Sequence, residues 1–345
     1  MRGRRWRGRV LLASLGLCLA FALLESGFRA WQWLAGRMLP EEIWAVHDPE
    51  LGYRLNPGHD DINPQGLRDH PVRPKDGRFR VLVLGDSVAY QGENVDDTFV
   101  GHLRRRLARE RGPERIDVLN AGVRGYTNYQ ELLWLERYGV PLEPDLVGVA
   151  FVLNDLFRFL HAFRVEDGRI VGTSYEFTPE AVQGVDSAVY RTLRRSVFLV
   201  WLRRRLETLE GTFLLSGGEG YAFDYRPDFR TAWLDEPWAD IEAQLAEMRA
   251  LGRERGFGLF LVAFPFGDQY RESYLARERG YVLKPQRRLR EICERLAIPY
   301  LDLYPLLDAS RDLQPDKIHL TAEGRRRAGE RIAEFLAGEG LLPAP

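Results

Sequence analysis

The sequence is poor in cysteine, and it has no basic surplus outside its first nine residues. Cys18 and Cys293 are the only cysteines among 345 residues, so no disulfide framework holds the fold together. Five arginines crowd residues 2–9, and without them 44 basic side chains stand against 50 acidic ones. The bulk of the chain therefore has no positive charge with which to neutralise phosphates, and we expect no nucleic-acid partner.

Internal repeats and metal-ligand patterns are also absent. No period typical of solenoids or propellers is visible. His47, His59 and His70 each neighbour an aspartate, but their spacings match no known metal-ligand pattern. The Pro, Gly, Asn and Asp residues around them favour solvated turns. We therefore expect neither a metal nor an organic cofactor.

A charge-free apolar segment at residues 10–24 follows the arginines directly. As a helix it would span about 22 Å, short of a hydrocarbon core of about 30 Å. We expect an uncleaved anchor within residues 1–37, because small-x-small triplets lie inside the apolar run rather than after it. A cleaved signal peptide and a buried core helix are the alternatives. The arginines would remain cytoplasmic, which predicts a single pass through the inner membrane and a periplasmic catalytic domain.

The rest of the chain divides into an arm and one large domain. Residues 38–78 are rich in Pro, Gly, Asn and Asp and predict an extended arm packed on that domain. From residue 79 to 340, short apolar runs alternate with segments of helical periodicity. Predicted strands cover residues 79–85, 116–119, 146–153, 259–264 and 299–303; predicted helices cover 98–111, 129–138, 238–255, the segment leading to 296, and a last helix from Thr321.

Continuous apolar strands separated by helices predict a central parallel sheet covered on both faces, which is a three-layer α/β/α architecture. The interruption at about residues 155–236 is too long for a simple connection and predicts a largely helical insertion. Within it, residues 187–210 form a basic helical pattern with one apolar stripe. We interpret this segment as a helix docked on the domain, and a membrane-surface helix is the alternative.

Polar residues follow three of the predicted strands, where ligands bind in open α/β sheets. Ser87 follows the first, the glycine-containing loop at residues 120–127 follows the second, and Asn154 follows the third. Two backbone amides and one carboxamide from these positions could converge on one anionic oxygen as an oxyanion hole. Taken singly, Ser87 could equally cap a helix, and Asn154 could satisfy local backbone.

A nucleophilic serine needs a base, and His319 has the matching context. It lies after the last strand and before the last helix, with Asp316 three residues earlier. A carboxylate at this spacing in a turn can accept the Nδ1 proton, which leaves Nε2 to take a proton from Ser87. A helix-entry turn with incidental polar groups is the alternative.

The blocks Gly85-Asp86-Ser87, Gly122, Asn154-Asp155 and Asp316-Lys317-Ile318-His319 resemble, in order and context, the motifs of the SGNH (GDSL-type) hydrolases. The resemblance implies an SGNH/flavodoxin-like fold, with Ser87 as nucleophile, His319 as base and acid, and Asp316 as its orienting partner. It also implies oxyanion donors from the Ser87 amide, the Gly122 amide and the Asn154 side chain. Residues 48–53 and 63–68 look like the arm of membrane-tethered bacterial members. The chain departs from the family pattern at two positions. The glycine usual two residues before the block-three Asn is replaced by Val152, and the glycine usual a few residues after the serine comes late, at Gly92.

These features predict an exported, membrane-anchored serine esterase that acts through an acyl-enzyme on acylated small molecules or carbohydrates. By resemblance the acyl group is acetyl; a lipid ester is the alternative that the basic insertion helix suggests. An O-acyltransferase for a surface polysaccharide and a non-catalytic glycan-binding component are the other hypotheses. The sequence predicts no particular protein partner.

Overall fold

The computed structural model describes residues 2–38, 44–59, 61–157, 161–166, 169–175, 196, 198–199, 221–225 and 227–344. The chain forms two compact units. One comprises residues 1–42 and 182–218, and the other comprises residues 43–181 and 219–345. Apart from residues 196 and 198–199, the predicted helix at 187–210 lies outside the described residues.

The first unit contains the helix α1, Arg2–Met38. Glu25 on α1 accepts hydrogen bonds from the Ser196 hydroxyl at 2.7 Å and from the Phe198 amide at 3.1 Å. Large apolar side chains of α1 are exposed at positions Leu15, Leu17, Leu19, Phe21, Leu23, Leu24 and Trp31. Among the described residues, no helix combines the length and the apolar character needed to cross a membrane.

The second unit is built on a five-stranded parallel sheet, which confirms the predicted fold class. The strands of this sheet, in chain order, are β3 (Phe79–Gly85), β4 (Ile116–Gly122), β5 (Leu146–Phe151), β8 (Gly258–Ala263) and β9 (Tyr300–Asp302). Two separate hairpins contain β1 (Ala45–Asp48) with β2 (Gly52–Leu55), and β6 (His161–Glu166) with β7 (Arg169–Tyr175). The spatial order of the sheet is β4-β3-β5-β8-β9. The strand order therefore reverses between β3 and β5, and such a switch point opens a crevice at the carboxyl ends of the strands.

Helices cover the sheet and place polar loops at its edge. They are α2 (Ser87–Tyr90), α3 (Phe99–Arg111), α4 (Asn128–Trp134), α5 (Pro227–Arg230), α6 (Pro237–Arg255), α7 (Glu272–Val282), α8 (Lys284–Leu296), α9 (Ala309–Asp312) and α10 (Ala322–Gly338). Thr321 caps α10, as predicted, because its hydroxyl accepts from the Gly324 amide at 3.0 Å. The apolar stripe of α10 buries Ala328 and Ile332 in the core.

The arm and the insertion each contain an antiparallel hairpin. In the arm, β1 pairs with β2, and Tyr53 on β2 is fully buried. The Tyr126 hydroxyl, from the loop after β4, donates to the Tyr53 carbonyl at 2.6 Å, so the arm packs on that loop. In the insertion, β6 pairs with β7, which corrects the prediction of a largely helical segment for this stretch. Much of the remaining insertion lies outside the described residues.

Candidate active site

Ser87 stands at the end of the central strand β3, where the chain turns into the short helix α2. Asp86 caps that helix, since its Oδ1 accepts from the Val88 amide at 2.8 Å. Asp86 is completely buried, whereas Ser87 is partly exposed. The first amides of a helix have no acceptor within it, so the Ser87 amide is oriented as a donor at the sheet edge. The cap of α2 is therefore Asp86, and Ser87 does not have the capping function that was its alternative interpretation.

His319 and Asp316 reach Ser87 from the loop between β9 and α10. The Ser87 hydroxyl donates to His319 Nε2 at 2.9 Å, and His319 Nδ1 donates to Asp316 Oδ2 at 2.7 Å. Asp316 Oδ1 accepts from the backbone amides of Ile318 and His319, each at 3.0 Å. The structure thus brings together the three side chains that the sequence predicted, in a continuous hydrogen-bonded relay.

The loop that carries His319 is held from a neighbouring element. Lys317 has a left-handed backbone, with φ at 68°, and its carbonyl accepts from the Gly267 amide at 2.8 Å. Its ammonium group pairs with the buried Asp268 carboxylate at 2.7 Å. A loop fixed on both backbone and side chain keeps the imidazole within reach of the nucleophile.

The electrostatics of the relay suit a general base. Burial lowers the pKa of His319, but the hydrogen bond and charge of Asp316, together with the charge of Asp86, outweigh it and hold that pKa above its ordinary value. Burial raises the pKa of Asp316, but the hydrogen bonds from His319 and Ile318 bring it below its usual range. Asp316 is therefore ionised when His319 takes up a proton.

A group of buried carboxyls lies beneath the site. Asp86, Glu131 and Asp155 are each almost completely buried. Burial raises the pKa of Glu131 and that of Asp155 well above their usual range. The charge of Asp86 raises both further, and the charge of Glu131 also raises the pKa of Asp155. Neither Glu131 oxygen has a hydrogen-bond partner among the described residues. Among the residues that the structure describes, no three His, Cys, Asp or Glu side chains form a metal site.

Asn154 follows β5, and its side chain points toward Asp86, the residue before Ser87. Its Nδ2 donates to Asp86 Oδ2 at 3.3 Å, which places the carboxamide beside Ser87. Asn154 is buried, and its second N–H remains as a donor. Val152, the first departure from the family pattern, is a buried residue whose amide donates to Asp155 Oδ2 at 2.7 Å. The departure leaves Asn154 in place.

Gly122 occupies a different setting from the one predicted. Its amide donates to Asn120 Oδ1 at 2.9 Å, so this N–H already has an acceptor in the structure. A Cβ at Gly122 would lie 2.6 Å from the Ala89 Cβ and 2.7 Å from the Tyr90 amide nitrogen. Gly122 thus allows β4 to approach α2 closely, and its oxyanion function stays a prediction that requires Asn120 to release the amide.

The loop after β4 offers another donor that the sequence reasoning missed. Gly125 is buried with φ at 72°, and its amide has no acceptor among the described residues. The neighbouring Val123 and Tyr126 amides donate to the Gly85 and Val123 carbonyls. The two glycines of this loop, Gly122 and Gly125, were visible in the sequence, but only the hydrogen-bond pattern separates the occupied amide from the unpaired one.

The profile of the GDSL-like Lipase/Acylhydrolase family matches residues 83–327. The chain belongs to this family. Among solved structures, TesA is 18% identical, over 75% of this chain and 98% of its own, with a TM-score of 0.44. The lipase/acylhydrolase from Enterococcus faecalis is 15% identical, over 76% and 96%, with a TM-score of 0.42.

A catalytic mutant of Axe2, an acetylxylan esterase from Geobacillus stearothermophilus, is 12% identical to this GDSL-like acylhydrolase, over 75% of this chain and 94% of its own, with a TM-score of 0.44. Among curated proteins, no sequence matches the chain significantly. The family match covers the strand that leads to Ser87 and extends beyond His319. It therefore includes every residue of the relay.

Cys293 has no part in this site. It is fully buried on α8, as expected of a small apolar residue, and burial raises the pKa of its thiol to about 12. A thiol with so high a pKa is not a nucleophile at neutral pH. Ser87, by contrast, has an imidazole nitrogen in hydrogen-bond contact with its hydroxyl.

Proposed function

We propose that the protein is a serine esterase that cleaves acyl esters through an acyl-enzyme on Ser87. The observation that carries this proposal is the unbroken relay from Ser87 Oγ to His319 Nε2 and from His319 Nδ1 to Asp316. A purely glycan-binding component would have no use for a nucleophile, a base and an orienting carboxylate in line. Membership in the acylhydrolase family supports ester hydrolysis in general.

In the first half-reaction, Ser87 Oγ attacks the ester carbonyl carbon while His319 Nε2 takes the hydroxyl proton. The ester carbonyl oxygen becomes an oxyanion, for which the Ser87 amide and the Asn154 carboxamide are the proposed donors. His319 then gives its proton to the leaving alcohol, and the acyl group stays on Ser87. In the second half-reaction, water attacks the acyl-enzyme with His319 as base, and the free acid leaves.

Intact-mass spectrometry after a fluorophosphonate probe tests the proposal on the full chain. We expect one adduct on the wild type, none on Ser87→Ala, and labelling at least 100-fold slower on His319→Ala. Each variant is compared with the wild type by circular dichroism, so that loss of labelling is not read as loss of the fold. An adduct on Ser87→Ala, or no adduct on folded wild type, would refute the nucleophile.

The acyl group proposed is acetyl, carried on a small-molecule or carbohydrate alcohol. Hydrolysis of nitrophenyl esters of two, eight and sixteen carbons tests the acyl length: kcat/KM should fall as the chain lengthens. A rise toward sixteen carbons would favour a lipid ester instead.

We further propose that α1 anchors the protein in the inner membrane and that the catalytic unit is exported. The support is the arginine cluster at residues 2–9 and the exposed apolar side chains that follow it on α1. Exposed leucines and phenylalanine on one helix are costly in water and favourable in lipid.

A further inference from the structure

Arg124, beside the site, is held in place by aromatic side chains but has no carboxylate partner among the described residues. Arg124 lies in the loop after β4, and its side chain is exposed. Its guanidinium carbon lies 4.5 Å from the centre of the Tyr90 ring and 5.8 Å from the centre of the Trp44 ring. The Tyr53 hydroxyl donates to the Arg124 carbonyl, which fixes the backbone as well. The arm thus supplies two of the three aromatic residues that position this cation.

Arg68 provides the contrast. Its guanidinium carbon lies 4.6 Å from the centre of the same Tyr90 ring, but Arg68 is buried and both of its terminal nitrogens donate hydrogen bonds. They reach Asp61 Oδ2 at 3.0 Å, the Gly92 carbonyl at 3.0 Å and the Tyr90 carbonyl. Within the described part of the chain, no carboxylate lies within ion-pair distance of Arg124. Arg68 is structural, whereas the N–H groups of Arg124 remain available to a ligand.

The position of Arg124 relates it directly to the nucleophile and the base. Tyr90, on which it stacks, is the last residue of α2, and Ser87 is the first. Residues three apart on a helix share a face and lie about 5–6 Å apart at Cβ. The positive charge of Arg124 also lowers the pKa of His319, so the guanidinium is within electrostatic range of the imidazole.

We infer that Arg124 binds an anionic substituent of the substrate, remote from the ester carbonyl. The esters preferred by this site are then those of sugars that bear a carboxylate or a phosphate. A guanidinium stacked on aromatic rings still presents N–H donors in its own plane, which is the geometry that fits these anions. The inference rests on the proposed esterase function and deepens it by naming the substrate class.

The test uses three O-acetylated sugars that differ only at C6: glucose, glucuronic acid and glucose 6-phosphate. For the full chain, kcat/KM on each acidic ester is divided by kcat/KM on the neutral one. We expect the wild type to prefer at least one acidic ester, and Arg124→Gln to lower that ratio about 10- to 100-fold, the size of a charge-assisted hydrogen bond. Arg124→Lys should restore part of it. Arg253→Gln, an exposed arginine on α6, is the matched control and should leave the ratio unchanged.

The outcomes separate this inference from the esterase proposal. A preference for only one acidic ester identifies the anion as carboxylate or phosphate and supports the inference. Equal kcat/KM on all three esters with normal Ser87 labelling overturns the inference and leaves the esterase in place. No hydrolysis and no labelling overturns both. As a measure that needs no variant, raising the salt from 20 mM to 500 mM should lower the wild-type ratio, because an exposed ion pair is screened. A salt-independent ratio contradicts the inference.

Discussion

At the scale of single residues, Asp316 sets both the orientation and the basicity of His319. Because Asp316 raises the pKa of His319, and because only neutral imidazole can accept the serine proton, kcat/KM should rise with pH through a value above the ordinary pKa of histidine. Asp316→Asn should lower that apparent pKa and reduce kcat about 1,000- to 10,000-fold. The measurement is a pH profile of ester hydrolysis, with the exposed Asp240→Asn as control. An unshifted profile would exclude this function for Asp316.

The raised pKa of the buried Glu131 carboxyl makes the free energy of unfolding depend on pH. Its pKa is raised in the folded state, so folding favours the protonated form. The protonated Glu131 stabilises the folded state. This stabilisation is complete below the pKa of Glu131 in the unfolded chain, about 4.3, and is lost as the pH rises toward its pKa in the folded protein. Glu131→Gln should therefore be more stable than wild type at pH 8, by about 1–3 kcal/mol, and equal or less stable at pH 4.

Urea unfolding at the two pH values measures this difference. Glu93→Gln, a change at an exposed residue between α2 and α3, should alter neither value. A Glu131→Gln protein that is less stable than wild type at pH 8 would show that the Glu131 carboxyl is ionised at that pH and stabilised in its ionised form.

The sequence predicted Ser87, Asp316 and His319 because a nucleophile and a base need specific residue types at specific strand ends. Two of the three predicted oxyanion donors are backbone amides, which every residue except proline has, so Gly122 and Gly125 could not be ranked by residue type. Arg124 was missed for a related reason. Its meaning depends on Trp44 and Tyr90, which are distant from it in sequence and meet it only in the fold.

At the scale of elements, the approach of β4 to α2 controls where Ser87 stands. Gly122→Ala keeps the backbone N–H but places a methyl group against Ala89 and the Tyr90 amide, both on α2. We expect a loss of about 1–3 kcal/mol in stability and about 100-fold in kcat, because α2 must shift with its nucleophile.

Thermal unfolding and ester hydrolysis check these two effects. Gly280→Ala on α7 is the control, since a Cβ there meets nothing within 4 Å. Normal kcat in Gly122→Ala would show that the strand and helix separate without moving Ser87.

The elements most accurately predicted were those with continuous apolar runs. The structure places β3 at Phe79–Gly85, as predicted, because a strand buried on both faces leaves an unambiguous signal. The helix predicted at 129–138 instead ends at Trp134 and continues as a π-helical turn, Leu135–Gly139. Side-chain periodicity does not distinguish these two backbone hydrogen-bond patterns. The hairpin of β6 and β7 was missed because the insertion was judged as a whole by its one strongly helical stretch.

At the scale of the whole molecule, the proposed anchor predicts where the protein is found. In the native host the full chain should fractionate with membranes and resist extraction by carbonate. Trypsin added to spheroplasts should digest the catalytic unit, while a tag before residue 2 stays protected until the membrane is dissolved. A variant without residues 2–24 should appear in the soluble cytoplasmic fraction. Protection of the catalytic unit in intact spheroplasts would contradict export.

The relay joins positions 232 residues apart, with Ser87 early in the domain and Asp316 and His319 on the loop before its last helix. The ribosome therefore synthesises Ser87 long before Asp316 and His319. Every chain interrupted before residue 319, whether by stalled synthesis or by proteolysis, carries a serine without its proton acceptor. Under the proposed esterase mechanism, a chain becomes active only when the domain is complete, and the order of synthesis leaves unfinished copies without activity toward esters.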